Sequence, residues 1–252
     1  MWSSAVAVQA GGGNAATVSD DASKKGIKGG ASVVVDGGTL AVDAADDALH
    51  SNGSVTVNGG SVTVASGDDG INFAGDGTSD ATADTTDTAD AGGMGGGGMG
   101  GGEAANQANQ LTINGGTLVV DADGDGLDSN GDATITGGTI VVNGPTTDGN
   151  GALDVNGTFT VSGGTLLAAG SSGMAVAPST SSTQGWVAAT LTTAVPAGTA
   201  VVRAFQRMGR LLPYSQRAGY STRWSIRQPR SPSARRIPCT PAAVLLAMPS
   251  AG

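Results

Sequence analysis

The stretch GLDSNGDATITGG at residues 126–138 recurs without a gap as ALDVNGTFTVSGG at residues 152–164. The same phrase is found earlier as GIKGGASVVVDGG at residues 26–38 and as ALHSNGSVTVNGG at residues 48–60. Each copy ends in a Gly-Gly pair that precedes a run of β-branched residues. A self-similar unit of this length is typical of a solenoid, in which stacked repeats bury a core that no single repeat could bury.

The spacing and composition of the repeat indicate strands. Gly37 lies 22 residues before Gly59, and Gly137 lies 26 residues before Gly163. Short alternating apolar runs predict strands of three to five residues, and Gly and Asn-Gly supply the turns between them. Parallel crossovers are almost always right-handed. We therefore predict an all-β, right-handed parallel β-helix with coils of about 22 residues and one inward column formed by Ile27, Leu49, Ile71, Leu127 and Leu153.

A β-propeller or a β-sandwich fits this sequence less well. Propeller blades need about 40 residues and usually carry an aromatic signature. Only 3% of this chain is aromatic, which suits the small inward residues of a narrow coil.

Charge divides the chain into two parts. All 21 acidic residues precede Arg203, accompanied by only three lysines, whereas residues 203–252 carry nine arginines and no acid. An acidic body argues against nucleic acid, because phosphate contacts need Lys and Arg. The abrupt change to Arg and Pro leads us to predict that residues 203–252 are a frameshift product that does not pack. The alternative is a genuine basic tail that binds an anionic surface.

The domain organisation follows from these patterns. We expect residues 1–23 to be a disordered N-terminal remnant, residues 24–202 to form the β-helix, and residues 78–109, which are rich in Gly, Ala, Thr and Asp, to be a disordered insertion. No apolar run approaches the roughly 20 residues of a membrane span. We also expect a monomer, with the signal peptide and any earlier coils absent from this chain.

Acidic clusters recur at one place in each period. Asp and Asn with Gly offer the oxygen ligands that Ca²⁺ prefers, and such crowding is repulsive unless a cation neutralises it. The sharpest case, Asp121-x-Asp123-x-Asp125-Gly126, matches the first half of an EF-hand loop, with Asp132 twelfth, although its flanks are strand-like. The alternative is that these residues only form Asx-turns. The candidate calcium ligands are Asp46, Asp47, Asp68, Asp69, Asp121, Asp123, Asp125, Asp128, Asn130, Asp132, Asp148 and Asp154.

These phrases resemble the bacterial extracellular carbohydrate-binding domain family, whose members are calcium-binding parallel β-helices with a shape similar to pectate lyases. The resemblance covers about residues 24–202 and rests on KGIKG, DDALHSNGSVTVNGG, GDDGIN, LTINGGTLVVDADGDGLDSNGDATITGGTIVVNGP and NGALDVNGTFTVSGGTLLAAGSSGMA. It implies polysaccharide binding, calcium, and a secreted or cell-surface location. It does not identify the residues that touch sugar.

The sequence is compatible with three classes of function. Non-catalytic, calcium-dependent binding of a cellulose- or pectin-like polysaccharide is the prediction. A calcium-stapled structural adhesin is the first alternative, and a polysaccharide lyase or hydrolase is the second. Against an enzyme, no Arg precedes residue 203, and the acids form a repeating ladder rather than one pair. The lone His50 is expected to be an outward turn residue, and the aromatic candidates for a sugar platform are Phe73, Phe159 and Trp186.

Overall fold

A computed structural model of the chain describes residues 4–17, 23–73, 110–190 and 242–247. Within those residues all regular structure is β-strand. The strands in chain order are β1 (Ala5–Ala10), β2 (Ile27–Gly29), β3 (Ser32–Val35), β4 (Thr39–Ala44), β5 (Leu49–Ser51), β6 (Ser54–Val57), β7 (Ser61–Ser66), β8 (Ile71–Phe73), β9 (Gln110–Ile113), β10 (Thr117–Ala122), β11 (Leu127–Ser129), β12 (Asp132–Ile135), β13 (Thr139–Asn143), β14 (Leu153–Val155), β15 (Phe159–Val161), β16 (Thr165–Ser171), β17 (Trp186–Thr190) and β18 (Ala242–Ala247).

The strands stack into three sheets, as expected for a parallel β-helix. Sheet A has the order β1-β4-β7-β10-β13-β16-β18-β17, sheet B the order β14-β11-β8-β5-β2, and sheet C the order β15-β12-β9-β6-β3. Each coil contributes one strand to sheets B, C and A in turn. All pairings among β1 to β16 are parallel, and Thr39 pairs with Ser61 at the predicted spacing of 22 residues. The fold class is confirmed.

The core is a narrow stack of aliphatic columns. Leu49 pairs with Ile27 and Ile71, and Leu127 pairs with Ile71 and Leu153, so the predicted inward column is confirmed. Ile27 at the end of the stack is half-buried, whereas the other four are buried. Burial of an aliphatic side chain contributes about 1.5–3 kcal/mol, which explains why successive coils hold together despite short strands.

The Gly-Gly corners between sheets C and A need glycine for two reasons. The second glycine of each pair has a positive φ, 90° at Gly60 and 90° at Gly138. A Cβ on Gly60 would also lie 2.7 Å from the carbonyl oxygen of Gly38 in the preceding coil. A side chain at the second glycine of the pair is therefore excluded by both backbone strain and the close stacking of coils.

Two terminal segments differ from expectation. Ala5–Ala10, predicted to be disordered, form β1, which pairs in parallel with β4 because its alternating apolar residues match the pattern of that strand. Ala242–Ala247, in the tail predicted not to pack, form β18, which pairs antiparallel with β16 and β17. The edge of β16 offers unpaired backbone groups that an apolar run such as AAVLLA can satisfy. The predicted insertion at 78–109 and the rest of the tail lie outside the described residues.

Candidate functional site

The acidic residues gather where sheet A passes into sheet B. We call the connections 45–48, 67–70 and 123–126 the acidic corner; they join β4 to β5, β7 to β8 and β10 to β11. The parallel register stacks these connections directly on one another. Six predicted metal ligands lie here: Asp46, Asp47, Asp68, Asp69, Asp123 and Asp125.

A ladder of carboxylates runs along the acidic corner. The backbone N–H of Asp69 donates to Oδ1 of Asp47 at 3.3 Å, and the backbone N–H of Asp125 donates to Oδ1 of Asp69 at 2.7 Å. The backbone N–H of Gly151 continues the ladder by donating to Oδ1 of Asp125 at 2.6 Å. These buried aspartates therefore have a structural role, because each one binds a main-chain donor of the next coil.

In Asp47 and Asp69 the second carboxylate oxygen is bound by the residue three positions later. Oδ2 of Asp69 accepts a hydrogen bond of 2.6 Å from Nδ2 of Asn72, and Oδ2 of Asp47 lies 2.9 Å from Nδ1 of His50. His50 is 3% exposed, so the expectation of an outward turn residue is wrong. The short strand β5 lets the ring lie against the buried carboxylate rather than in solvent. Nε2 of His50 and Oδ1 of Asn72 are buried, and neither has a hydrogen-bond partner among the residues that the structure describes.

Three carboxylates meet closely enough to hold a metal ion. One oxygen each of Asp46, Asp47 and Asp68 lie within 4.8 Å of one another, and within the described part of the chain no other group of three acidic, His or Cys side chains does so. Nζ of Lys25 lies 2.7 Å from Oδ2 of Asp47 and 3.2 Å from Oδ1 of Asp46. Burial works against the ammonium, but these two carboxylates outweigh it and raise the pKa of Lys25.

The acids of the later coils repel one another. Burial raises the pKa of Asp69 to about 7, with Asp47 and then Asp68 adding to the effect. Burial raises the pKa of Asp125 to about 6 despite the hydrogen bond from Gly151. Burial, followed by the charges of Asp69 and Asp125, raises the pKa of Asp128 to about 8. Such shifts mark sites where charge is expensive unless a cation or a proton neutralises it.

Four further carboxyl groups show the same direction. Burial raises the pKa values of Asp68, Asp121, Asp123 and Asp154 above their ordinary range. Asp46 is the exception, since donors from Lys25 and the backbone lower its pKa even though burial acts in the opposite direction. Carboxylate oxygens crowded together with few positive charges nearby are the kind of donor that a hard cation prefers.

The predicted ligands of the stretch 121–132 do not form one loop. Asp121 is the penultimate residue of β10, and Asp128 lies on β11 in register with Asp154 of β14. Asp132 begins β12, just after the corner between β11 and β12, and its Oδ1 accepts a 2.7 Å hydrogen bond from the backbone N–H of Thr158. Asn130, at that same corner, accepts a hydrogen bond of 2.8 Å from Nδ2 of Asn156.

Asp148 stands apart from the other predicted ligands. It is exposed in the longer connection between β13 and β14, where the last coil departs from the 22-residue period. Of the twelve predicted ligands, six thus lie in the acidic corner, two (Asp128 and Asp154) on sheet B and one (Asp121) on sheet A. Asn130, Asp132 and Asp148 lie elsewhere.

Sequence reasoning missed Lys25 as part of the site. The signal was present in the repeat, because Lys25 lies 22 residues before Asp47 and therefore occupies the ladder position of the preceding coil. The predicted aromatic platform is also corrected: Phe73 and Phe159 are buried in the core, since they point inward in strands whose outward residues are polar, and Trp186 is half-buried.

Regular polar columns cover the outer faces of the helix. Sheet A carries one column of hydroxyl groups from Thr39, Ser61, Thr117, Thr139 and Thr165. Sheet C carries another from Thr56, Thr112, Thr134 and Thr160. Beside it, amide groups hydrogen-bond along the axis: Nδ2 of Asn114 donates to Oδ1 of Asn58 at 2.8 Å, and Nδ2 of Asn58 donates to Oδ1 of Asp36 at 2.7 Å. Neighbouring strands are about 4.8 Å apart, so these groups repeat at that interval.

Comparisons with known proteins bear on this surface. No helix long and apolar enough to cross a membrane is found among the residues that the structure describes. No curated protein and no solved structure matches the chain. A family model described as "Carbohydrate-binding domain-containing protein" matches residues 2–70, which include β1 to β7 and the corners that hold Lys25, Asp46, Asp47, Asp68 and Asp69. This match supports a carbohydrate-binding domain family for residues 2–70, and it overlaps the resemblance predicted from the sequence over residues 24–70.

Proposed function

We propose that the protein is a non-catalytic, calcium-dependent polysaccharide-binding protein that acts outside the cell or at its surface. The observation that carries the proposal is the family match at residues 2–70, because it covers the first coils and two of the acidic corners. The extracellular location rests on the resemblance to an extracellular family.

The outer surface supports a polymer as the ligand. The hydroxyl columns of sheets A and C present the same group on successive coils, so an extended glycan could meet equivalent partners along the helix axis. Phe73 and Phe159 are buried in the core, which leaves hydrogen bonding by Thr, Ser and Asn as the main source of recognition on these faces.

The acidic corner supports calcium and an acidic polymer. Asp69, Asp125 and Asp128 have pKa values raised to about 7, 6 and 8, because they are buried near other carboxylates. A divalent cation would neutralise this repulsion and could bridge the protein to uronate groups, which an acidic surface otherwise repels. This favours a pectin-like polymer over a neutral one.

The basic residues support a binding role rather than catalysis. Elimination from a uronate needs a strong base near bound calcium. Lys25 is engaged by two carboxylates, and no Lys or Arg occurs between residues 29 and 202. An enzyme needs a nucleophile or general base placed beside its substrate, and we identify no such pair of groups among the described residues.

Binding isotherms on cellulose, xylan and polygalacturonate, each with calcium and with EDTA, test the proposal. We expect binding to polygalacturonate that is lost in EDTA and restored by excess calcium. Binding that survives complete removal of calcium contradicts the calcium bridge. Absence of binding to every glycan, together with calcium-dependent stability, favours the structural adhesin. Release of unsaturated or reducing ends during the incubation favours the enzyme.

A further inference from the structure

Lys25 occupies the position in its coil that an aspartate occupies in the next three. Ile27, Leu49, Ile71 and Leu127 are paired in register, and the residue two positions before each is Lys25, Asp47, Asp69 and Asp125, respectively. The acidic ladder therefore begins on a positive charge. Beyond Lys28, no Lys or Arg lies near the later aspartates in the sequence, because residues 29–202 contain neither.

The ammonium of Lys25 contacts two of the three carboxylates that come close enough together to hold a metal ion. Nζ of Lys25 is 2.7 Å from Asp47 and 3.2 Å from Asp46, which supply two of the three oxygens that come within 4.8 Å of one another. The side chain of Asp47 is 1% exposed and that of Lys25 is 18% exposed, so water screens this pair weakly. His50 also binds Oδ2 of Asp47, which further reduces the lone pairs left for a cation.

A divalent cation does not fit beside Lys25. Calcium needs six to eight oxygen ligands, and an ammonium group bound to two of the carboxylates would both repel the ion and occupy its ligands. We propose that Lys25 is a built-in counter-ion that takes the place of a metal ion among Asp46, Asp47 and Asp68, so that these three carboxylates bind no calcium while Lys25 is present. The ammonium of Lys25 thus blocks the one carboxylate cluster in the described residues that is compact enough to bind a metal ion.

This inference goes beyond the proposed function and depends on it only for the choice of calcium as the probe. Its consequence is that Lys25 offsets part of the negative charge of Asp46, Asp47 and Asp68 without calcium, whereas no Lys or Arg lies near the later aspartates in the sequence.

Calcium titration by calorimetry on the full chain tests the inference with Lys25→Met and the charge-preserving Lys25→Arg. We expect Lys25→Met to bind one more calcium ion per chain than the unchanged protein, and Lys25→Arg to bind the same number. The melting temperature of Lys25→Met should fall in EDTA and recover with calcium more than that of the unchanged protein. Equal stoichiometry in Lys25→Met and the unchanged protein overturns the inference, whatever that number is.

A second variant covers the case in which Lys25→Met does not fold. Asp46→Asn keeps an oxygen that can accept the hydrogen bonds from the backbone N–H groups of Lys24 or Asp47, but it removes one metal ligand charge. We expect the calcium stoichiometry of Asp46→Asn to equal that of the unchanged protein. Loss of one calcium ion in this variant means that Asp46, Asp47 and Asp68 bind metal despite Lys25, and it overturns the inference. Loss of sugar binding alone bears on the proposed function and not on Lys25.

Discussion

Oδ1 of Asp69 accepts a hydrogen bond of 2.7 Å from the backbone N–H of Asp125, although the two residues are 56 positions apart in the sequence. Residues 74–109 lie between them and outside the described part of the chain. The contact joins the third coil to the fourth at the acidic corner. A carboxylate that was predicted as a metal ligand is therefore also a structural link between coils.

Asp69→Asn and Asp69→Ala separate charge from hydrogen bonding. Asp69→Ala should lower the free energy of unfolding by about 1–3 kcal/mol, because the N–H of Asp125 loses its acceptor. Asp69→Asn should be close to neutral in EDTA at pH 8. The asparagine keeps an oxygen that accepts from the N–H of Asp125, and it removes a charge that the neighbouring carboxylates repel. The side-chain amide of Asn72 can rotate so that its Oδ1, which has no partner among the described residues, accepts a hydrogen bond from the new Nδ2. Urea unfolding measures both, and equal losses would contradict the role of the hydrogen bond.

Stability in EDTA should fall as the pH rises from about 4 to about 8. Asp69, Asp125 and Asp128 have folded pKa values of about 7, 6 and 8, above their unfolded values near 4, because of burial and neighbouring acids. The folded state then binds more protons than the unfolded state in this window, so their contribution is greatest below the unfolded pKa and is lost toward the folded one.

Melting temperatures in EDTA at pH 4.5, 6 and 8 check that dependence. For a domain of this size, each kcal/mol corresponds to about 2–4 °C. Asp128→Asn is the matched variant, and it should flatten the profile by raising the melting temperature at pH 8. A melting temperature that increases steadily from pH 4.5 to pH 8 would contradict the assignment.

Calcium should stabilise the protein at pH 8 and have little effect at pH 4.5, where Asp69, Asp125 and Asp128 are protonated because burial raises their pKa values to about 7, 6 and 8. An ion that binds only the folded state adds about 2.7 kcal/mol at a hundredfold excess over its Kd. Asp125→Asn keeps an acceptor for the N–H of Gly151 and removes one charge, so the shift in melting temperature on adding calcium should be smaller in this variant. An unchanged shift would exclude Asp125 from the calcium site.

Gly138→Ala should destabilise the fold by about 1–2 kcal/mol or more. Gly138 has a φ of 90°, and its new Cβ would lie 3.0 Å from the carbonyl oxygen of Gly116 in the preceding coil. Gly37→Ala is the control, because a Cβ there meets nothing within 4 Å. Thermal unfolding of the two variants should differ clearly, and equal melting temperatures would mean that the corner relaxes more easily than the stacking of coils suggests.

Much of the fold was predictable because the same sequence phrase recurs at a spacing of 22 residues, or 26 in the last coil. The alternation of small apolar and polar residues identified the inward column from Ile27 to Leu153, and the register of sheet B agrees with it. The strand β1 was not predicted, since a single strand without its two companions leaves no complete repeat in the sequence. The antiparallel strand β18 was not predicted because its partners are distant and its direction is reversed.

The sequence by itself determined the coil, the inward column and the place of the acids in each coil, because a solenoid repeats the same local environment at a fixed spacing. Only the tertiary structure decided what those acids contact. It placed Lys25 against Asp46 and Asp47 and buried His50 beside Asp47. It also placed Asp132 at the start of β12, away from Asp125 in the acidic corner. The reason is physical: periodicity specifies which residues stack, whereas hydrogen bonding and burial depend on side chains that meet across coils.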